Sequence, residues 1–122
     1  MALITAVRQG DLPEVWRLLR QKGVDVDCRN RHNWTPLMFA ASYGEVEMMQ
    51  GLIDAGADID ALSDGGWTAL MQASSSGHPA VVQMLLDAGA KVDVVSKSGI
   101  TALSKARKFG HTDCVQLLEM LR

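Results

Sequence analysis

The sequence predicts an all-α solenoid of stacked, antiparallel helix pairs, and three observations carry that fold class. The chain repeats itself at a shift of 33 residues, so that Trp34-Thr-Pro-Leu-Met, Trp67-Thr-Ala-Leu-Met and Ile100-Thr-Ala-Leu-Ser align. Glycines keep the same step at Gly44, Gly77 and Gly110, and again at Gly56 and Gly89. Within a copy the apolar residues recur at helical spacing, as in Val46, Met49, Leu52 and Ile53. Two short helices cannot bury their apolar faces alone, so the copies must stack.

Four copies fill the chain as one domain, 1–122, in units of about 1–30, 31–63, 64–96 and 97–122. The first is looser. Ala2 to Gly10 matches Pro36 to Gly44 at a shift of 34, while Gly23 to Asp27 matches Gly56 to Asp60 at 33, which puts one extra residue near Arg20, Gln21 and Lys22.

The second, third and fourth units each carry a threonine, Thr35, Thr68 or Thr101, whose hydroxyl can accept from the unpaired amides of a following helix. Pro36 suits the first helical position. The first helix runs through Leu37, Phe39, Ala40 and Ala41 to Gly44, which supplies the left-handed residue that stops it. Its small alanines let units approach closely. The second helix carries Val46, Met49, Leu52 and Ile53, echoed by Val82, Leu85 and Leu86 and by Val15, Leu18 and Leu19, with Pro79 in a first turn. Gly56 and Gly89 end it, and an Asp-rich tract with Ile59 and Leu62 forms the connection. Strand content near zero is expected.

These residues resemble the ankyrin repeats, whose unit has this length and a Thr-Pro-Leu-His-x-Ala signature. The resemblance covers the whole chain and implies an ankyrin-repeat solenoid. Two departures stand out. The signature histidine is replaced by Met38, Met71 and Ser104, and the turn glycine seen at Gly66 and Gly99 is Asn33 in the second unit. Asparagine tolerates the left-handed region, so the turn is expected to survive.

Composition excludes several classes. A net charge of -2 with 21% charged residues gives no global basic stripe for nucleic acid or an anionic membrane. No apolar run approaches the roughly 20 residues that span a bilayer, and Arg8 and Asp11 interrupt any signal-like segment at the start. Cys28 and Cys114 lie 86 residues apart, too distant in a stack for a disulfide, and read as free thiols. A cytoplasmic or nuclear monomer is the expectation.

No catalytic constellation is legible. His78 and His111 recur with the unit and are assigned to the turn into the second helix, while His32 stands four residues from Cys28 without further ligands for a metal. Ser74, Ser75 and Ser76 lack a nucleophile elbow and read as the exposed end of a helix. Asp25, Asp27, Asp58, Asp60 and Asp93 recur in solvated loops rather than forming a general-acid pair or a calcium loop. No phosphate cradle follows Asp64-Gly-Gly66. Met48, Met49 and Met84 read as core of the second helix, and Met38 and Met71 as buried between units. No enzyme activity, cofactor or metal is expected.

The resemblance implies that a partner sits on the face made by the turn tips and the outer end of the first helix. Carried over position by position, the turn-tip residues are Arg31, His32 and Trp34, then Asp64, Gly65 and Trp67, then Lys97, Ser98 and Ile100. The helix residues are Arg8 and Gln9, Ser42 and Tyr43, Ser75 and Ser76, and Lys108 and Phe109. Of six aromatic residues, Trp34, Tyr43, Trp67 and Phe109 fall in these places, where core packing alone would not select them. Such rings anchor interfaces. The expected function is therefore a protein-interaction module whose partner peptide is acidic at the end near Lys108, since Lys97, Lys105, Arg107 and Lys108 crowd the last unit. Two alternatives stay open: a nucleotide-like small ligand stacked by Trp34 and Trp67, and a passive segment of a larger scaffold.

Terminal units should turn polar faces to water. Arg8, Arg17 and Arg20 serve this at the front, Glu119 and Arg122 at the back, and Glu119 takes the register of Ile53 and Leu86 as a capping change. Met120 and Leu121 add an apolar end, and Trp16 is expected to cover the open end or the convex side.

Overall fold

A computed structural model describes residues 2–120; Leu121 and Arg122, named above, lie outside them. Eight helices and no strand occur among the described residues: α1 (Ala2–Gln9), α2 (Leu12–Leu19), α3 (Pro36–Tyr43), α4 (Val46–Asp54), α5 (Ala69–Ser76), α6 (Pro79–Asp87), α7 (Ala102–Lys108) and α8 (Thr112–Glu119). They pack as an inner row, α1·α3·α5·α7, and an outer row, α2·α4·α6·α8, each outer helix lying against the inner helix before it.

The capping chemistry is local and repeats. Thr35, Thr68 and Thr101 accept through Oγ1 from the amides of Met38 (3.3 Å), Met71 (3.2 Å) and Ser104 (3.0 Å). Ser104, standing where the signature histidine is absent, returns the bond by accepting from the Thr101 amide at 2.9 Å. Gly44 and Gly77 close α3 and α5 at φ +70° and +74°. Asn33 holds φ +61°, so the turn does survive the loss of its glycine.

Small residues let the inner row close up: Ala6, Ala40, Ala73 and Ala106 share one register and are buried. Met38, Met71, Met48 and Met49 are fully buried, while Met84 is half-buried. The Asp-rich loops are less solvated than their composition implies, because Asp27 Oδ1 accepts from the Asp58 amide (2.8 Å) and Asp60 Oδ1 from the Lys91 amide (2.9 Å). Both bonds tie one unit to the next.

One expectation needs correction, and one is met and extended, since His78 and His111 do stand at the turns into α6 and α8. Ser74 does not belong to an exposed helix end; it is fully buried, and its Oγ has no hydrogen-bond partner. The register explains this, since Ser74 occupies the place of buried Ala41 on the face that meets a neighbouring unit. A buried hydroxyl left unpaired costs about 1–3 kcal/mol, so Ser74→Ala should stabilise the chain by about 1 kcal/mol in urea unfolding; a loss would show that the hydroxyl is satisfied. His78 and His111 do more than shape a turn. Nε2 of His78 donates to the Ser42 carbonyl and Nε2 of His111 to the Ser75 carbonyl, each at 3.0 Å. Their rings lie over Gly44 and Gly77 and join adjacent units.

At the ends, Arg8, Arg17, Arg20 and Glu119 are exposed, and Glu119 meets Arg107 at 3.5 Å. Trp16 is half-buried on the outer row against Gly51, which places it on the side of the second helices.

Candidate partner-binding groove

The turns are built before they are decorated. Asn30, Ser63 and Ser96 share one register, and each side chain accepts from the amide four residues on, at Trp34 (2.9 Å), Trp67 (3.2 Å) and Ile100 (3.0 Å). Backbone bonds close the same loops, Asn33 to Asn30, Gly66 to Ser63 and Gly99 to Ser96. Successive tips then pair with one another. The Asp64 amide donates to the His32 carbonyl and the Lys97 amide to the Gly65 carbonyl, both at 3.0 Å. The turn tips therefore form one hydrogen-bonded wall, beside which the inner helices run.

Trp34, Trp67 and Ile100 are half-buried along that wall. Arg31, His32, Asp64, Gly65, Lys97 and Ser98 are exposed at its tips, and Asp64 Oδ1 accepts from Asn33 Nδ2 at 2.7 Å. On the helix side Arg8, Gln9, Ser76 and Lys108 are exposed, with Tyr43 at 46% and Phe109 at 50%. Ser42 and Ser75 are half-buried, and their carbonyls are taken by the two histidines.

Sequence reasoning missed the floor. Phe39, Gln72 and Lys105 share one register on the inner helices, and each reaches the space between wall and helices. Phe39 lines a depression of about 550 Å³ with Arg8, Asn30, Arg31, His32 and Trp34. Gln72 lines a second, of about 350 Å³, with Trp34, Ser63, Gly65 and Trp67. The signal was available: at this register the chemistry changes from unit to unit, while the neighbouring leucines and alanines do not.

Rings and cations alternate along the groove. Trp34 and Phe39 centroids are 4.8 Å apart, and Phe39 to Tyr43 is 6.3 Å. The Arg8 guanidinium lies 5.4 Å from the Phe39 centroid. Lys105 Nζ stands 5.7 Å from Trp67 and 5.2 Å from Phe109, with Lys108 Nζ 5.8 Å from Phe109. Such contacts are worth about 0.5–1 kcal/mol at exposed sites and fix where the charges stand.

Cys28 and Cys114 are unpaired, and burial pushes both thiols above their ordinary range, the opposite of an activated nucleophile. Among the described residues no three His, Cys, Asp or Glu side chains converge as a metal cluster, and no helix is long and apolar enough to cross a membrane.

Comparison with known proteins bears on the fold more than on the groove. Residues 3–96 match the family described as ankyrin repeats in three copies. Among similar proteins, "Ankyrin repeat, SAM and basic leucine zipper domain-containing protein 1" of Atelerix albiventris is 47% identical over 49 residues, 40% of this chain and 10% of that protein. The protein of the same name from Carollia perspicillata is 45% identical over the same shares. "Ankyrin repeat protein nuc-2" of Neurospora crassa is 44% identical over 48 residues, 38% of this chain and 4% of that protein. The matched stretch thus spans a tenth or less of these relatives.

Proposed function

Because the chain belongs to the ankyrin repeat family, whose members are generally non-enzymatic protein-interaction modules, we propose that it holds a segment or surface of another protein in the groove between its turn tips and inner helices. The observation that supports this reading is the aromatic line itself. Trp34, Tyr43, Trp67 and Phe109 keep substantial surface toward one groove, although the chain has only six aromatic residues. Rings buried on binding, with flanking Arg8, Gln9, Arg31, His32, Asp64 and Lys97, supply apolar area and polar handles together. Ser42, Ser75, Ser76, Ile100 and Lys108 complete the proposed contact surface. The cytosol or nucleus is the proposed compartment, which suits two unpaired thiols.

Substituting Trp34 and Trp67 with alanine is expected to abolish capture of the partner while the helical circular dichroism is retained. Tyr43→Ala with Phe109→Ala, at more exposed positions, should weaken capture without touching the core. Unchanged binding in both variants would overturn the proposal. A planar small ligand between Trp34 and Trp67 is the second reading, carried by the depression they share; calorimetric titration with a nucleotide panel tests it, and a flat result removes it.

A further inference from the structure

A net charge of -2 conceals a sorted surface. Of the fourteen acidic residues only Asp64 lies on the groove, and its Oδ1 is already engaged by Asn33. The other thirteen belong to the second helices, their N-terminal approaches or the Asp-rich loops. Five cations stand on this side of the molecule: Arg8 and Arg31 line the first depression, Lys105 and Lys108 lie over the groove's rings, and Lys97 is exposed at a turn tip. The ion pairs among the described residues are Arg17 with Glu14 and Arg107 with Glu119, so none of these five has a carboxylate within 4.0 Å.

On these grounds we infer that the groove's occupant is an acidic peptide segment with two carboxylate-bearing stretches, one at each end of the groove, and an apolar residue between them. The inference rests on the groove reading above and names the partner's chemistry. Arg8 and Arg31 flank the depression that holds Trp34 and Phe39, at the junction of the first and second units. Lys105 and Lys108 stand over the rings of the third and fourth units. Stacked helices are roughly 8–10 Å apart and an extended chain rises roughly 3.3 Å per residue, so the two cation groups, two to three helix spacings apart, are separated by roughly five to nine residues of peptide.

The ring contacts sharpen the choice of ligand. A Trp34, Phe39 and Tyr43 cluster would suit a cationic side chain if its face were open, but Arg8 already occupies the Phe39 face. Lys105 likewise lies over Trp67 and Phe109. A basic ligand meets like charge at both ends. A carboxylate meets cations whose positions the rings have fixed, which lowers the ordering cost of the contact. Thirteen carboxylates outside the groove repel a polyanion too broad to stay inside it, which favours a peptide over nucleic acid.

The test is a selection of random peptides of about fourteen residues on the whole chain, followed by titration of the survivors at about 50 mM and about 300 mM NaCl. The expected survivors carry Asp or Glu in two blocks about five to nine positions apart, and they bind several-fold more weakly at the higher salt. Arg8→Glu and Lys105→Glu should each weaken binding about tenfold, with each variant removing the preference for one block. Lys91→Glu, exposed and outside the groove, should leave binding unchanged. Neutral or basic survivors, salt-independent binding, displacement by a short single-stranded DNA, or no survivors at all would overturn the inference. Neutral survivors lost with Trp34→Ala and Trp67→Ala would do so while leaving the groove reading intact; survivors indifferent to both substitutions would remove that reading too.

Discussion

Gly77→Ala is expected to cost about 2–4 kcal/mol in urea unfolding, against about 1–2 kcal/mol for Gly110→Ala. Both glycines hold the left-handed backbone, at φ +74° and +71°, and an alanine there carries the strain of an L side chain in that region. They differ in what the new methyl meets. At Gly110 a Cβ has nothing within 4 Å, whereas at Gly77 it would lie 2.6 Å from Cε1 and Nδ1 of His111. The ring must then swing away from the contact that holds Nε2 3.0 Å from the Ser75 carbonyl. That removes a bond between adjacent units, in an architecture whose stability is a sum of such neighbour terms.

A second background isolates the ring. In a His111→Ala chain the Gly77→Ala step should fall to the Gly110→Ala value, because the obstructing imidazole is gone. The same relation is expected of Gly44 with His78, where a Cβ would stand 2.6 Å from Nδ1. Equal costs for Gly77→Ala in both backgrounds would show that the histidine is incidental to the junction.

These junctions mark where legibility in the sequence ends. Capping threonines and helix-ending glycines act within a few residues, so spacing alone places them, and Asn33 was readable because a turn's backbone demand is local. His78 recurs with His111 and could be recognised as structural, yet its partner carbonyl lies 36 residues earlier in the chain. Only the placement of one unit on another brings them together. Ser74 fails differently: a serine at a helix end reads as surface until the inner row puts it in the place of Ala41. In the groove, the exposed aromatics and the crowd of lysines were legible. Phe39 was legible only by comparing units, because α3 taken alone is apolar on most sides and gives no sign of which residue faces the wall.

The outer row supplies a coupled pair. Trp16 stands at the register where the later units carry Gln50, Gln83 and Gln116, and Gly51 stands where they carry Met84 and Leu117. A Cβ on Gly51 would lie 1.9 Å from Cζ3 of Trp16, so the indole occupies the volume that a side chain fills in the following units. Gly51→Met is therefore expected to expel the ring and cost about 2 kcal/mol, despite the helix propensity gained on losing glycine. Trp16→Gln should cost a similar amount, by exposing the surface around Gly51. Together the two substitutions restore the arrangement of the later junctions, so the double variant should recover most of either loss, a coupling of at least about 1 kcal/mol. Additive losses would mean that Trp16 stabilises the first unit without reference to Gly51. The indole would then be a cover for one helix rather than the joint between the first two units.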